Sequence, residues 1–251
     1  MNDSIRTPVQ IDIAFWLETP SHHACDIAVL AGFDTVILDM EHGTLSDSAA
    51  ERLTPYCLGL GLGVYSRVAT TSRPAIQKAL DSGAKGVILP QIRGVDEALV
   101  AANYSKYPPL GTRGLGLSRI QEYGPVGDGW AERQNEMTSC FVMIETGQAL
   151  ADAREIANLP AVDGLFFGPS DMALDAGRVP GEWTEEALNE LEQVGRIAKE
   201  KGKQFGTAGA HDPNARHVAL EHGASLLAIG DDLSALAIGL QAMISSARQD
   251  P

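Results

Sequence analysis

The sequence predicts a single (β/α)8 barrel. Three observations carry that expectation: a length of 251 residues, short apolar runs alternating with amphipathic segments, and glycines that close several of those segments. Strands are expected at 11–17, 35–39, 64–68, 86–90, 141–145, 164–168, 204–208 and 226–230. Between most of them, apolar residues recur at i, i+3 and i+4, as in 74–80 and 187–198. Gly83, Gly202 and Gly223 follow such segments, where a helix C-terminus favours glycine. Eight such units leave nowhere for a second core, so residues 1–251 are expected to form one domain.

One connection breaks the rhythm. Residues 107–137 are rich in Gly, Pro and polar side chains, and a structureless stretch of that length is usually functional. Because it follows the helix after strand four, its near end is expected at the barrel bottom. A lid and a contact with another subunit both remain open. The last helix, 233–247, is apolar on more than one face through Leu236, Ile238, Leu240, Met243 and Ile244. That pattern predicts burial against a neighbouring subunit.

Composition narrows the partners. A net charge of −14 argues against nucleic acid or an anionic membrane. The three cysteines, Cys25, Cys57 and Cys140, are odd in number, widely spaced and set among apolar residues. They read as reduced core residues, not as a disulfide framework or a zinc site. Residues 1–10 are polar and lack an apolar signal core, and no run approaches membrane-spanning length. A cytoplasmic, water-soluble protein is expected.

In such barrels the reacting groups sit at the C-terminal strand ends. Taken in order, those ends offer Asp39, Glu41 and His42 after strand two, Arg67 at strand three and Gln91 after strand four. Glu145, Asp171, Thr207 and Asp231 follow at strands five to eight. Glu145 and Asp171 each stand where an apolar run stops. Two carboxylates on neighbouring strand ends can hold one hard divalent cation and leave its other positions for water or substrate. Equally, each acid can serve as a helix cap or first-turn residue.

His42 is the natural base, with Asp39 three residues earlier to orient it. His22 and His23, in the first loop, are expected to be mainly solvated, and His211, His217 and His222 fit a helix face. Arg67 can bind a substrate oxyanion or simply pair with Glu41 or Glu145. The backbone N–H groups of Ser170 and Asp171, at a helix start after Gly168 and Pro169, can take a carboxylate. None of the six lysines falls at the active face, so a Schiff base is disfavoured and an enolate would need a metal ion. Acids at Asp212, Asp231 and Asp232 disfavour a phosphorylated substrate.

Read together, these motifs resemble the HpcH/HpaI aldolase family of metal-dependent pyruvate aldolases. The similarity runs from about Phe15 to Asp231. It includes G-F-D-x-x-x-x-D-x-E-H (32–42), Arg67, L-D-x-G-A (80–84), Y-P-P-x-G-x-R-G (107–114), I-E-T (144–146) and G-P-x-D (168–171). The resemblance implies Glu145 and Asp171 as ligands of Mg2+, Mn2+ or Co2+, and Arg67 on the keto or enolate oxygen. It also implies that the Ser170 and Asp171 amides hold the pyruvate carboxylate, and that His42 with Asp39 handles the proton. Asp81 matches an acid that serves a neighbouring subunit's site, and a homohexamer is implied.

Two departures bear on the donor. Met143 stands where several members have Gln, and Met172-Ala173 replaces Leu-Ser. The expected function is therefore an aldolase making or cleaving 4-hydroxy-2-oxoacids from an aldehyde and pyruvate. Met143 leaves room for hydroxypyruvate or 2-oxobutyrate as donor. The rivals are a CoA-ester lyase of the malyl-CoA or citramalyl-CoA type, which would need a basic groove, and a non-catalytic sugar-acid-binding barrel.

Overall fold

The computed structural model describes residues 11–249; the polar segment 1–10, with its expected lack of a signal core, lies outside them. The eight strands are β1 (Asp12–Leu17), β2 (Thr35–Asp39), β3 (Gly63–Arg67), β4 (Gly86–Leu89), β5 (Ser139–Ile144), β6 (Gly164–Phe167), β7 (Gln204–Thr207) and β8 (Leu226–Asp231). All pair in parallel in chain order, and β8 returns to β1 to close the barrel. The helices among the described residues are α1 (His22–Ala31), α2 (Asp47–Gly59), α3 (Arg73–Asp81), α4 (Val95–Asn103), α5 (Trp130–Met137) and α6 (Gly147–Ala151). Then come α7 (Ala153–Ala157), α8 (Pro169–Asp175), α9 (Glu185–Glu200), α10 (Pro213–Glu221) and α11 (Asp232–Gln249). The predicted strands agree with these to within two residues at either end. No described helix is long and apolar enough to cross a membrane.

Local chemistry accounts for the helix ends. Ser21, Ser46, Thr146, Thr184 and Asp212 each accept a backbone N–H from the first turn they precede. Gly83 (φ +105°), Gly202 (φ +66°) and Gly223 (φ +83°) take the left-handed conformation that releases the chain toward the next strand.

The barrel interior holds Trp16, Ile37, Tyr65, Ile88, Phe141, Met143, Phe166 and Leu226. Its rings need small neighbours. A Cβ on Gly164 would lie 2.4 Å from the Phe141 ring, and one on Gly206 would lie 2.7 Å from Phe166. Aliphatic strand residues facing outward, such as Val87, Val142 and Leu165, pack against the helices.

Residues 107–137 are more ordered than their composition suggests. They contain a 3-10 turn at Arg119–Gln121 and end in α5, a helix whose polar sequence hides it because only Asn135 is buried. Both ends of the excursion are tied together. Lys106, fully buried, donates to the Asn135 and Thr138 carbonyls and pairs with Asp163 at 2.7 Å. Asn135 exchanges two hydrogen bonds with the Tyr107 backbone. On α11 the apolar side chains Leu236, Ile238, Leu240 and Met243 are exposed within this chain.

Candidate active site

A cavity of about 330 Å3 opens at the C-terminal end of the barrel. Its lining brings together His42, Arg67, Met143, Glu145, Gly168, Ser170, Asp171 and Asp231 of the residues singled out from sequence. Glu41, Gln91 and Thr207 are not on the lining, and Asp39 and Asp81 are placed differently.

Asp39 ends β2, fully buried, directly behind the cavity wall. Its carboxylate accepts from Arg67 Nε at 3.1 Å and Nη2 at 2.5 Å, and from the Trp16 indole at 3.1 Å. It also accepts the backbone N–H groups of Glu41 and His42. Burial pushes this carboxyl up, but the Arg67 contact, the indole and the His42 N–H together hold it below its ordinary value. Asp39 was expected to orient the His42 imidazole; it instead holds the His42 backbone. The imidazole is largely exposed and faces Glu41 at 3.8 Å.

Arg67 is the buried cation of the site. Its guanidinium lies 4.8 Å from the Trp16 ring centroid and reaches Glu41 at 3.3 Å. Of the two ion pairs foreseen for it, the one with Glu41 forms. Burial raises the Glu41 pKa despite that pair.

Glu145 follows the last residue of β5 and is 1% exposed. One oxygen accepts the Gln91 N–H at 2.5 Å, while Oε2 is buried without a hydrogen-bond partner. Burial pushes its pKa up to about 7, and the charges of Asp171 and Glu41 act in the same direction. Gln91 reaches it from a left-handed backbone (φ +56°), a conformation that costs a non-glycine residue about 1–3 kcal/mol. Gly168 faces the same carboxylate: a Cβ there would stand 3.1 Å from Oε2 and 3.3 Å from Met143 Cγ. The first turn of α8, opened by Pro169, carries Asp171 into the cavity. The N–H groups of Ser170 and Asp171 lie in that turn, where no helical carbonyl is available to them.

Asp81 sits at the C-terminal end of α3, paired with Arg113 at 2.7 Å, and does not line the cavity. Arg113 also covers the Tyr107 ring at 4.6 Å, so the Tyr-Pro-Pro segment and the α3 end form one structural unit. A second, larger cavity of about 460 Å3 runs between α2 and α3 past Asp81. Its lining carries Asp47, Glu51, Lys78, Asp81 and Arg119, but not Arg67, Glu145 or Asp171. No residue of 107–137 lines the first cavity, so within this chain the segment does not cover it.

Trp16, Glu18 and His211 line the site without having been singled out for it. Trp16 and Glu18 were legible as the inward period-2 positions leaving β1. His211 precedes α10 and so is free to face the mouth, contrary to its placement on a helix face. His22 and His23 open α1 and stay away from the cavity; His22 packs on Tyr56 with ring centroids 4.7 Å apart. Thr207 is buried, and its hydroxyl donates to the Ala208 carbonyl at 2.9 Å.

No cluster of three or more potential metal-binding His, Cys, Asp or Glu side chains occurs among the described residues. Any cation held here would thus rest on two carboxylates and leave most of its coordination to water and substrate. The donor set suits that: Glu145 Oε2 is an anionic oxygen with no partner, in a space kept clear by a glycine. No lysine lines the cavity.

Comparison with known proteins identifies the family. The sequence profile described as HpcH/HpaI aldolase/citrate lyase matches residues 12–238. The chain is 31% identical over 242 residues to a hydroxypyruvate/pyruvate aldolase of Rhizorhabdus wittichii, covering 94% of each protein. It is 30% identical over 220 residues to the 2-dehydro-3,6-dideoxy-6-sulfogluconate aldolase of Pseudomonas putida, covering 87% of this chain and 86% of that one. The crystal structure of an HpcH/HpaI aldolase from Desulfitobacterium hafniense superposes with a TM-score of 0.88 at 26% identity, over 96% of this chain and 94% of that one. The chain therefore belongs to the HpcH/HpaI aldolase/citrate lyase family and is a lyase.

Proposed function

We propose that this enzyme is a divalent-metal-dependent aldolase that makes and cleaves 4-hydroxy-2-oxoacids. Its donor is pyruvate or a close analogue such as hydroxypyruvate, and its acceptor is an aldehyde. The observation that carries the reading is the buried Glu145 carboxylate, one oxygen unpartnered, sharing a cavity with Asp171 and Arg67. The names of the Rhizorhabdus and Pseudomonas relatives support an aldolase.

Glu145 and Asp171 would hold the cation. When bound, Mg2+, Mn2+ or Co2+ would supply Lewis-acid stabilisation of the charge that develops on the donor's keto oxygen. Arg67, fixed by Asp39, directs its guanidinium at that same developing charge. The Ser170 and Asp171 amides receive the donor carboxylate. His42, next to Glu41, takes a proton from the donor's methyl carbon, whose electron pair then forms the new C–C bond to the aldehyde. The aldehyde oxygen takes that proton back from the His42 imidazolium to become the 4-hydroxyl; cleavage runs the same transfers backwards. Asp81 is held in reserve for the site of an adjacent subunit in a homo-oligomer.

The test is release of pyruvate from a panel of 4-hydroxy-2-oxoacids and of malyl- and citramalyl-CoA, with and without chelator. Turnover of the free acids that chelator abolishes and Mg2+, Mn2+ or Co2+ restores is expected, with no borohydride-trapped adduct. Full activity in metal-free protein, or turnover of the CoA esters alone, overturns the proposal.

A further inference from the structure

The charge balance of the cavity bears on the aldehyde. Its lining carries four carboxylates, Glu18, Glu145, Asp171 and Asp231, against one guanidinium, Arg67. Arg67 is already engaged by Asp39 and Glu41. Under the function proposed above, a divalent cation offsets Glu145 and Asp171, and Arg67 faces the charge of the donor. Glu18 and Asp231 are left over.

These two acids are neighbours on the rim. Asp231 ends β8 in register with Trp16, and Glu18 lies two residues beyond Trp16 on the same side of the chain. The tie between them is built in. The Asp232 carboxylate accepts the N–H groups of Glu18 at 2.9 Å and Thr19 at 3.1 Å, and the Thr19 hydroxyl. Asp231 has a structural task, since its Oδ1 accepts the Ser234 N–H at the start of α11. Glu18 has none: burial and the charges of Asp231, Asp39 and Asp232 raise its pKa against a smaller lowering by Arg67, and no hydrogen bond contributes. A half-buried carboxylate without a structural partner is thus fixed by its backbone at the entrance, in a negative field. His42 and His211 are the only other basic side chains on the lining, and His42 already faces Glu41.

We infer that this rim selects aldehydes whose substituents are neutral and hydroxyl-bearing, with Glu18 accepting a hydrogen bond from the acceptor's hydroxyl, and rejects aldehydes bearing an anionic group. A carboxylate can only accept, so a hydroxyl beside the aldehyde is its natural complement. A carboxylate, sulfonate or phosphate in that place meets like charge, with no lysine or second arginine of this chain on the lining to offset it. The inference rests on the aldolase reading and adds the class of acceptor.

The experiment pairs acceptors of equal carbon number: glycolaldehyde against glyoxylate, and glyceraldehyde against malonic semialdehyde, each condensed with pyruvate. In the wild type the neutral member should lead in kcat/KM by about tenfold or more. The ratio should shrink in Glu18→Gln and in Asp231→Asn, and invert in Glu18→Arg. Because each ratio is internal to one variant, a general loss of activity does not move it. Pyruvate methyl-proton exchange in the wild type, without any aldehyde, reads the donor half-reaction separately. Exchange together with an equal or greater rate for the anionic acceptors overturns this inference and leaves the aldolase reading standing, as do ratios unmoved in all three variants. Absence of both exchange and condensation overturns the two together.

Discussion

Asp39 and Arg67 form a bidentate pair, with Nε on one carboxylate oxygen at 3.1 Å and Nη2 on the other at 2.5 Å, both residues buried. The pair joins the ends of β2 and β3, which are in register at these two residues. It fixes the guanidinium toward the cavity before any substrate arrives.

Asp39→Asn should therefore cost both stability and catalysis. Removing one partner of a buried pair leaves an uncompensated charge, typically about 3–5 kcal/mol of stability. Losing the aim of the guanidinium should lower kcat/KM by about 10²-fold or more. Urea unfolding and steady-state kinetics measure the two. Arg67→Lys should not restore activity, because an ammonium cannot make the forked contact; near wild-type kinetics in either variant would remove Arg67 from the mechanism.

Glu145 gives a pH dependence of defined sign. Its folded pKa of about 7 stands above the ordinary 4.5. Between those values the folded chain keeps a proton that the unfolded chain has released. Stability from this group is therefore full below about pH 4.5 and is lost as pH rises through 7, by roughly 3 kcal/mol in all. Metal-free protein should show that decline in Tm between pH 5 and 7.5, and Glu145→Gln should flatten it. Adding Mn2+ should reverse the decline, since a cation favours the ionised carboxylate. A wild-type slope equal to that of the Gln variant would remove Glu145 as its source.

The barrel and most of the site were legible because strand ends in such a fold converge whatever the loops do. Runs such as Gly164–Phe167 show where a strand stops, and the next polar residue falls at the mouth. What the sequence hid were relations between distant backbones. The Asp39 carboxylate is consumed by Arg67, Trp16 and two amides, which no spacing reveals, so its expected contact with the His42 ring does not form. The role of Gln91 depends on a left-handed backbone at a residue with no propensity for it. The helix α5 was missed because its one buried side chain, Asn135, is polar.

His42 is exposed, and the proposed mechanism uses it in the proton step alone. His42→Ala should slow pyruvate methyl-proton exchange by about 10²–10⁴-fold, the range for a positioned acid or base. Metal affinity should persist, measured by titration with Mn2+. Loss of metal along with exchange would make the histidine a ligand instead.

Met143 is 2% exposed and lines the cavity beside Glu145 and Gly168. If the donor binds as proposed, a flexible thioether there would accommodate a substituent on its methyl carbon without demanding a hydrogen bond. Met143→Gln should shift the kcat/KM ratio among pyruvate, hydroxypyruvate and 2-oxobutyrate by roughly 1–3 kcal/mol. An unchanged ratio would mean that another wall of the cavity sets the donor.

The exposed apolar face of α11 makes an oligomer the expected state. Leu236, Ile238, Leu240 and Met243 are each more than half exposed, as are Ile27 and Leu30 on α1. Burying a side chain of this size stabilises by about 1.5–3 kcal/mol, so leaving several in water is costly for a lone chain. A second copy of the same chain supplies a covering surface of the same apolar character, and closed symmetry then limits the assembly's size. Light scattering should give a mass that is a multiple of 26.6 kDa, with six copies the expected number. Leu236→Glu combined with Met243→Glu should lower that mass while the far-ultraviolet circular dichroism of the barrel persists. If Asp81 completes a neighbour's site, dissociation should also reduce activity at low protein concentration, and Asp81→Asn should reproduce the loss without dissociation. A wild-type monomer with full activity would refute both the assembly and the shared site.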